Sequence, residues 1–328
     1  MSLPPALPLV GLTCGDPAGI GPEIARAALA DRELAQVARI VVLGPPSLRP
    51  STVTRLEADA VRDARTHGWI DTATVGPFEL GRVQESAGRA ALHALRMGHE
   101  LALDGSFDAL VTGPVSKEAL HLAGERVEGQ TELLGRWCGA ARYEMLAIAG
   151  DLRVLLLTRH MPLVTAIAQI STERVLDHLR LLDEGLRDFG FERPRLALAG
   201  LNPHAGENGL LGREDDELLA PAVRSARAAG IDVTGPVSPD SVFFQGSRGR
   251  YDGVLALYHD QAFIPIKLLS ADGGITVILG LPYLRISPVH GTAFDLAGTG
   301  RASPANLIAA LRQAATWGGL RRAARIGR

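Results

Sequence analysis

Cysteine and long apolar runs are scarce in this sequence of 328 residues. Only Cys14 and Cys138 occur, with no Cys-x-x-Cys pair, which fits a reducing cytoplasm and excludes a zinc cluster built from thiolates. No apolar run approaches the roughly 20 residues of a membrane span, and the N-terminus lacks the basic start and apolar stretch of a signal peptide. The net charge of −2 gives no electrostatic reason to expect nucleic acid or an anionic membrane as a partner. We therefore expect a cytoplasmic protein.

Lysine is nearly absent. Of the 34 basic residues, only Lys117 and Lys267 are lysines, and each closely follows an apolar run. A chain that uses arginine elsewhere keeps lysine where a compact ammonium group is needed, which favours phosphate or carboxylate binding at these two positions. Compositional drift is the alternative.

Apolar strand-like runs and amphipathic helices alternate along the whole chain. This alternation predicts an α/β fold with one or two mainly parallel sheets, and the length allows one large or two medium domains. A polar stretch over residues 124–131 suggests a domain boundary near Glu128. Residues 51–65 are predicted to be helical.

Three apolar runs of strand length lead into polar segments that carry His160, His204 and His259. Continuous apolar runs are typical of strands buried on both faces, and ligands bind outside the carboxyl ends of such strands. Three neutral imidazoles with an open coordination position would make a divalent-metal site. A lone histidine after a strand is more often structural, but Asp260 beside His259 and Glu207 near His204 strengthen the metal interpretation.

The residues alone therefore indicate a metal-assisted enzyme that acts on a small anion, without defining the reaction. Lys117, Lys267 and Arg285 are candidate ligands for anionic groups of the substrate. Histidine ligands favour zinc, with cobalt or nickel as alternatives and magnesium less natural. Residues 15–23 form a glycine-rich loop that matches neither a dinucleotide fingerprint nor a phosphate-binding Walker loop, so a structural turn and a binding loop stay equally open.

Several motifs in order along the chain resemble the 4-hydroxythreonine-4-phosphate dehydrogenase family of pyridoxal phosphate biosynthesis. They are GDPAGIGPE at 15–23, TGP at 112–114, LNPHAGE at 201–207, YHDQ at 258–261, LGLP at 279–282 and HGTA at 290–293. The resemblance covers almost the whole chain, and the motifs in this order are very specific.

The resemblance implies an isocitrate/isopropylmalate dehydrogenase-like fold with two α/β/α domains and the active site in the interdomain cleft. Residues 1–128 and 280–328 would form the first domain. Residues 129–279 would form the second, which carries the metal and the dimer contacts. The family is a homodimer that binds a divalent metal through three histidines, and these map onto His160, His204 and, from the partner subunit, His259.

The resemblance also assigns the substrate, the cofactor and the reaction. Substrate-binding positions map onto Gln130, Thr131, Lys267, Thr276 and Arg285. The adenosine of NAD or NADP would lie on the loop that contains His290, Gly291, Thr292, Ala293 and Asp295. The implied reaction oxidises C3 of 4-phosphohydroxy-L-threonine to 2-amino-3-oxo-4-phosphooxybutanoate, which then loses carbon dioxide. Asp260 and Lys117 are the candidates for the residue that takes the hydroxyl proton.

Two positions depart from the family pattern, because the family usually has histidine at Gln130 and asparagine at Thr276. Neither replacement can carry a positive charge, although both can form hydrogen bonds. A related dehydrogenase that acts on 4-phosphorylated threonate or erythronate, or on a cis-dihydrodiol carboxylate, is therefore the alternative. Phosphate acetyltransferase-like acyl transfer and a non-catalytic binding protein are more remote alternatives; acyl transfer needs no metal, and the binding protein would bind neither metal nor NAD.

Overall fold

The computed structural model describes residues 7–73, 76–270 and 274–326. The chain divides into two compact units. The first combines the chain up to Ala141 with the chain from Leu281, and the second runs from Arg142 to Gly280. Among the described helices, none is both long and apolar enough to cross a membrane.

In the described ranges, short and mostly buried apolar segments form twelve strands. They are β1 (Leu9–Thr13), β2 (Arg39–Gly44), β3 (Thr54–Arg55), β4 (Gly68–Asp71), β5 (Ala109–Thr112), β6 (Glu144–Ala149), β7 (Leu152–Leu156), β8 (Leu196–Ala199), β9 (Val233–Val237), β10 (Gly253–Ala256), β11 (Ile275–Leu279) and β12 (Arg285–Pro288).

The helices lie between these strands. They are α1 (Gly21–Leu29), α2 (Leu34–Val37), α3 (Glu85–Leu103), α4 (Lys117–Leu122), α5 (Gln130–Trp137), α6 (Leu163–Ala168), α7 (Thr172–Asp188), α8 (Ala220–Ala228), α9 (Pro239–Ser247), α10 (His259–Leu269) and α11 (Ala305–Ile326). Short 3-10 turns occur at Pro46–Leu48, Val61–Asp63 and Pro203–Gly206, and Asp215–Leu219 forms a π-helical turn directly before α8.

The strands of the first unit run parallel in the order β3-β4-β2-β1-β5-β12. Parallel strands buried on both faces need continuous apolar sequence, and β1, β2 and β5 supply it. One face of this sheet packs against α3, where Val41, Leu43 and Phe107 are buried. This packing fixes the carboxyl ends of β1 and β5 next to each other.

The strands of the second unit follow the order β11-β6-β7-β10-β8-β9. The pairs β11–β6 and β6–β7 are antiparallel, whereas β7, β10, β8 and β9 run parallel. Val154, Val254 and Ile266 belong to its buried core, so α10 covers one face of the sheet. The parallel half brings the carboxyl ends of β7, β10 and β8 to one edge.

The fold differs from the sequence predictions in two places. Residues 51–65 are not helical: they form β3 and the 3-10 turn at Val61–Asp63, because Leu56 N donates to Trp69 O and Arg55 pairs with Asp71. Residues 129–141, which we predicted to belong to the second domain, lie in the first unit. Gln130 explains this placement, since its Nε2 donates to Gly113 O.

Candidate active site

Two of the predicted metal ligands lie at adjacent strand ends of the second unit. His160 follows β7, and His259 is the first residue of α10 after β10. The two strands are held in register up to their ends, because Leu157 N donates to Ala256 O over 2.8 Å and Thr158 Oγ1 donates to Leu257 O over 2.8 Å. As a result, the ring centroids of His160 and His259 are 5.0 Å apart.

The orientation of the His259 ring is fixed by its neighbour. Its Nδ1 lies 2.7 Å from Oδ1 of Asp260, and its ring stacks on Phe263 with a centroid distance of 4.6 Å. A carboxylate only accepts hydrogen bonds, so in the neutral ring Nδ1 is the donor and Nε2 keeps its lone pair. A carboxylate behind an imidazole is the usual arrangement of a metal-binding histidine.

A cavity of about 190 Å³ is lined by both rings, Asp260, Tyr258 and Arg159. The Arg159 guanidinium forms an ion pair with Glu144, with 3.3 Å between Nε and Oε1, and lies over the ring of Tyr143. Glu144 is itself buried. Arg159 therefore borders the cavity as one half of an ion pair, and the sequence analysis did not single it out. The adjacency of Arg159 to His160 at a strand end was the available signal.

His204 lies in a strained loop after β8. Four non-glycine residues of this loop have left-handed backbone conformations, with φ of 54° at His204, 54° at Ala205, 47° at Glu207 and 57° at Asn208. This conformation is unfavourable by about 1 kcal/mol or more for each such residue. Strain of this kind persists only where surrounding contacts enforce it, and it concentrates at functional sites.

The resemblance places His160 and His204 in one chain and takes His259 from the partner subunit. Within one chain the structure instead places His259 beside His160, and His204 lies apart from both. Within the described ranges, no three His, Cys, Asp or Glu side chains form a group that could hold a metal ion. His204 Nδ1 lies 3.4 Å from Oε2 of Glu207, and its side chain is 63% exposed. The donor set fits a metal chemically, since imidazole nitrogens with carboxylates behind them suit zinc, but the described part of one chain brings together only the His160–His259 pair.

The predicted substrate ligands of the first unit gather at the carboxyl end of β5. Arg285, on β12 beside β5, donates from Nε and Nη2 to Thr112 Oγ1 over 3.1 and 2.6 Å. The residue is 3% exposed, and burial lowers the pKa of its guanidinium to about 10, so it stays charged at neutral pH. Its hydrogen-bond partner Thr112 is neutral and does not balance the charge. The Glu132 carboxylate and Tyr283 partly offset the effect of burial on the pKa of Arg285. A buried cation of this kind favours an anionic ligand.

Gln130 presents an acceptor to this strand end. Its Nε2 donates to Gly113 O over 3.0 Å, and within the described part of the chain its buried Oε1 has no hydrogen-bond partner. A flipped amide would set two oxygens against each other, so this orientation is required. Thr131 is buried next to it, and Lys117 Cε lies 3.8 Å from the place that a Cβ on Gly129 would occupy.

The remaining substrate candidates, Lys267 on α10 and Thr276 on β11, belong to the second unit. Thr276 is buried. The structure thus brings Gln130, Thr131, Lys117 and Arg285 to one strand end of the first unit.

The predicted cofactor loop packs against the glycine-rich loop that follows β1. Ile20 N donates to Thr292 O over 3.0 Å, and a Cβ at Gly19 would lie only 2.8 Å from that oxygen, so this approach requires glycine. His290 Nδ1 lies 3.0 Å from Gly291 O, which makes Nδ1 the donor and Nε2 an acceptor. That Nε2 is buried and, among the described residues, unpartnered, so it can accept from a hydroxyl or amino group of a ligand.

The other cofactor candidates lie on the same loop. Ala293 adopts a left-handed φ of 41°, and Asp295 is exposed. Glu23, which the sequence analysis did not assign, ties the end of this region to α1, since its carboxylate accepts from Gly298 N and Ala302 N over 3.2 and 3.3 Å. The glycine-rich loop is therefore part of the wall behind residues 290–295.

Asp16 is a further buried group that sequence reasoning missed. It is fully buried at the end of β1, where its N donates to Pro114 O and its Oδ1 accepts from Ala18 N. Its Oδ2 has no hydrogen-bond partner among residues 7–73, 76–270 and 274–326. Burial raises the pKa of this carboxyl from 3.8 to about 6. An aspartate inside a glycine-rich loop was the only signal for it.

A family model described as pyridoxal phosphate biosynthetic protein PdxA matches residues 24–314. The chain belongs to the PdxA family. A 4-hydroxythreonine-4-phosphate dehydrogenase of Geobacter metallireducens is 41% identical over 327 residues, with 95% of this chain and 96% of the relative covered. A D-threonate 4-phosphate dehydrogenase of Salmonella typhimurium is 41% identical over 323 residues, with 93% of this chain and 97% of the relative covered.

The crystal structure of a 4-hydroxythreonine-4-phosphate dehydrogenase from Klebsiella pneumoniae has the same fold. It superposes with a TM-score of 0.85 at 38% identity, and the match covers 95% of this chain and 99% of that chain. The predicted α/β fold and the predicted PdxA family are therefore confirmed, and this PdxA protein is an oxidoreductase. The relatives are dehydrogenases of small phosphorylated hydroxy acids. The roles of the individual residues stay predictions.

Proposed function

We propose that this PdxA protein oxidises C3 of 4-phosphohydroxy-L-threonine with NAD or NADP and a divalent metal. The product would be 2-amino-3-oxo-4-phosphooxybutanoate, which decarboxylates to 3-amino-2-oxopropyl phosphate. The observation that carries the proposal is the pair of imidazoles at adjacent strand ends, with Asp260 fixing the tautomer of His259. Acyl transfer has no need of this arrangement.

The chain's own residues have distinct tasks in this reaction. The Arg285 guanidinium, Lys117 and Lys267 bind the anionic groups of the substrate, and Thr112 orients Arg285. Thr131 and Thr276 add hydrogen bonds. Asp260 or Lys117 takes the proton of the hydroxyl group, and Asp260 already lies within hydrogen-bond distance of the His259 ring.

A metal ion and a dinucleotide would supply the remaining chemistry. His160, His204 and His259 would hold a zinc ion, or cobalt or magnesium in its place, which would supply Lewis acidity at the substrate hydroxyl oxygen. Residues 290–295 would hold NAD or NADP, which would supply a hydride acceptor.

A homodimer that completes the histidine site is supported by two features of the second unit. The described part of one chain holds no three-donor group. In addition, α6 and α10 expose large apolar side chains, with Val164 and Leu268 each 78% exposed and Ile264 61% exposed. Exposed apolar surface of this extent is typical of a face that another protein chain covers.

A second candidate substrate is threonate 4-phosphate, in which a hydroxyl group replaces the amino group at C2. It is favoured by Gln130, whose neutral amide replaces the usual histidine, and by the equal identity to relatives of both names. Erythronate 4-phosphate and cis-dihydrodiol carboxylates follow as further members of this class.

The test is NAD(P)H production by the purified enzyme with each of these substrates, before and after EDTA and after added zinc. We expect turnover that EDTA abolishes and zinc restores, with 4-phosphohydroxy-L-threonine the best substrate. Alanine variants of His160, His204 and His259 should lose this turnover, and replacement of the exposed His93 by alanine is their matched control. Faster turnover of threonate 4-phosphate would select the second candidate, and turnover that resists EDTA would contradict the metal site.

A further inference from the structure

The carboxylate of Asp215 is fully buried and is bonded to the segment that leads into His204. Its Oδ1 accepts from Leu201 N over 2.9 Å. Its Oδ2 accepts from both N and Nδ2 of Asn202, each over 3.0 Å. One side chain thus fixes the backbone and side chain of the residues just before Pro203 and His204.

The chain wraps closely around this carboxylate. A Cβ at Gly200 would lie 3.0 Å from Asp215 Oδ1, and a Cβ at Gly206 would lie 3.4 Å from Asp215 Cβ. Glycine at these positions lets the loop enclose Asp215 from both sides of His204. The loop adds its own bonds, since Ala205 N donates to Asn202 O and Leu211 N donates to Gly206 O, each over 3.0 Å.

Asp215 also begins the π-helical turn Asp215–Leu219. Such turns are rare and are found frequently at functional sites. The same carboxylate therefore connects an unusual helical turn to a loop in which four non-glycine residues are left-handed. A loop of this conformation needs an anchor to persist, and Asp215 supplies three hydrogen bonds to it.

We propose that Asp215 is a positioning residue for His204: it holds residues 201–202 and so sets the loop conformation from which the imidazole binds the catalytic metal. Asp215 does not itself touch the metal, because its two oxygens are bonded to the loop. The proposal rests on the proposed function, since it requires that His204 is a ligand. Aspartate is required because all three partners are donors, and an asparagine would turn an N–H group toward one of them.

The experiment measures the zinc affinity of the purified full chain by competition with a chromophoric chelator. Asp215→Asn is compared with the wild type, with His204→Ala and with Asp183→Asn. Asp183 is the matched control, because it is a buried aspartate of the same unit whose carboxylate bonds Arg187 on its own helix. Asn202→Ala, which removes one bond to Asp215 and one to Glu214, serves if Asp215→Asn does not fold.

We expect zinc binding about 10–100-fold weaker in Asp215→Asn, the range for loss of a group that orients a metal ligand. Asp183→Asn should bind zinc as the wild type does, and Asn202→Ala should lie between. Amide hydrogen exchange of residues 204–209 in the metal-free protein should be faster in Asp215→Asn, less so in Asn202→Ala, and unchanged in Asp183→Asn. This readout does not depend on activity.

The outcomes separate the two proposals. Weaker zinc binding in His204→Ala with unchanged binding in Asp215→Asn and Asn202→Ala overturns the role of Asp215 alone. Unchanged binding in His204→Ala overturns the proposed metal site and the role of Asp215 with it. A lower melting temperature in Asp215→Asn with unchanged zinc affinity shows a purely structural aspartate and also overturns the proposal.

Discussion

The polar groups at the strand ends of the two units differ in burial and in how completely they are hydrogen-bonded. At the end of β5 in the first unit, Arg285 is buried on Thr112 and Gln130 is tied to Gly113. In the second unit the side chains of His259 and His204 are 35% and 63% exposed, and only His160 and His259 are close together. The first group is built within one unit, and the second is not complete within it.

This difference shows how each site obtains its chemistry. A buried guanidinium with fixed hydrogen bonds is organised before the ligand arrives, so binding an anion needs little rearrangement. Imidazoles that expose nitrogen lone pairs depend on a cation and on a further donor. We therefore expect substitutions in the first unit to change substrate binding, and those in the second unit to abolish the metal-dependent step.

The largest effect is expected at the second unit's strand ends. His259→Ala should lower kcat/KM by more than about 100-fold, because loss of even an outer partner of a metal ligand reduces activity about 10–100-fold. Zinc content should fall in parallel, as measured on the purified protein. Its control, His93→Ala, should match the wild type. Full activity of His259→Ala would contradict the expectation that the strand ends of the second unit carry the metal-dependent step.

Of the three histidines that the strand pattern predicted to converge, His160 and His259 lie together in one chain and His204 lies apart. Two apolar runs that form adjacent parallel strands must bring their next residues to one edge, so the pair follows from the pattern. His204 also follows a strand, but its loop is left-handed and depends on Asp215, which lies beyond the motif. Such a long-range anchor leaves no local periodicity to detect.

Tertiary contacts also explain the two fold predictions that failed. Residues 51–65 have helix-forming composition, yet pairing of β3 with β4 and the bond of Leu56 to Trp69 override it. The boundary near Glu128 was predicted from the polar stretch over residues 124–131, so residues 129–141 were assigned to the second domain. The polar side chain of Gln130 is instead directed at Gly113 of the first unit.

Arg285→Lys tests the preorganised strand end of the first unit. A lysine keeps the charge but cannot direct two donors at Thr112, so the substrate anion loses its fixed partner. Truncation of a buried, hydrogen-bonded charge is unfavourable by about 3 kcal/mol, which corresponds to a rise in KM of about 100-fold. Arg312→Lys, at a half-buried arginine on α11 that pairs with Glu33 and Asp31, is the control in the same unit. A KM within twofold of the wild type would contradict preorganisation.

Gln130 gives a smaller, substrate-dependent effect. Because Nε2 of Gln130 already donates to Gly113 O, its Oε1 is the atom that can bind the substrate, and it can only accept a hydrogen bond. The carboxylate and phosphate of the candidate substrates also only accept, so neither can pair with Oε1. The C3 hydroxyl gives up its hydrogen in the reaction, so the hydroxyl or amino group at C2 is the donor that remains.

Gln130→Met should therefore lower kcat/KM by up to about 10-fold for substrates with a C2 donor, the value of one neutral hydrogen bond. For the analogue 3-hydroxy-4-phosphooxybutanoate, which has no such donor, wild type and variant should be equal. An equal loss for all substrates would mean that Gln130 only supports the position of Gly113.

The smallest expected effect concerns stability at Asp16. Burial raises the pKa of its carboxyl to about 6 in the folded protein, above the unfolded value of 3.8. The folded state therefore binds this proton more tightly. Because of this, the contribution of Asp16 is most favourable below about pH 4, falls as the pH rises to about 6, and is unfavourable above it.

Asp16→Asn removes the charge and keeps an oxygen for Ala18 N, so it should stabilise the protein by about 2–3 kcal/mol at pH 8 and by little near pH 4. Urea unfolding at the two pH values measures this difference. The exposed Asp63→Asn should show no such pH dependence. At neutral pH the buried, ionised carboxylate of Asp16, in the loop behind residues 290–295, therefore lowers the free energy of unfolding of this protein. If Asp16→Asn is less stable than the wild type at pH 8, a partner in the folded protein stabilises the ionised carboxylate. The polar groups at the end of β1 would then be paired, like those at the end of β5.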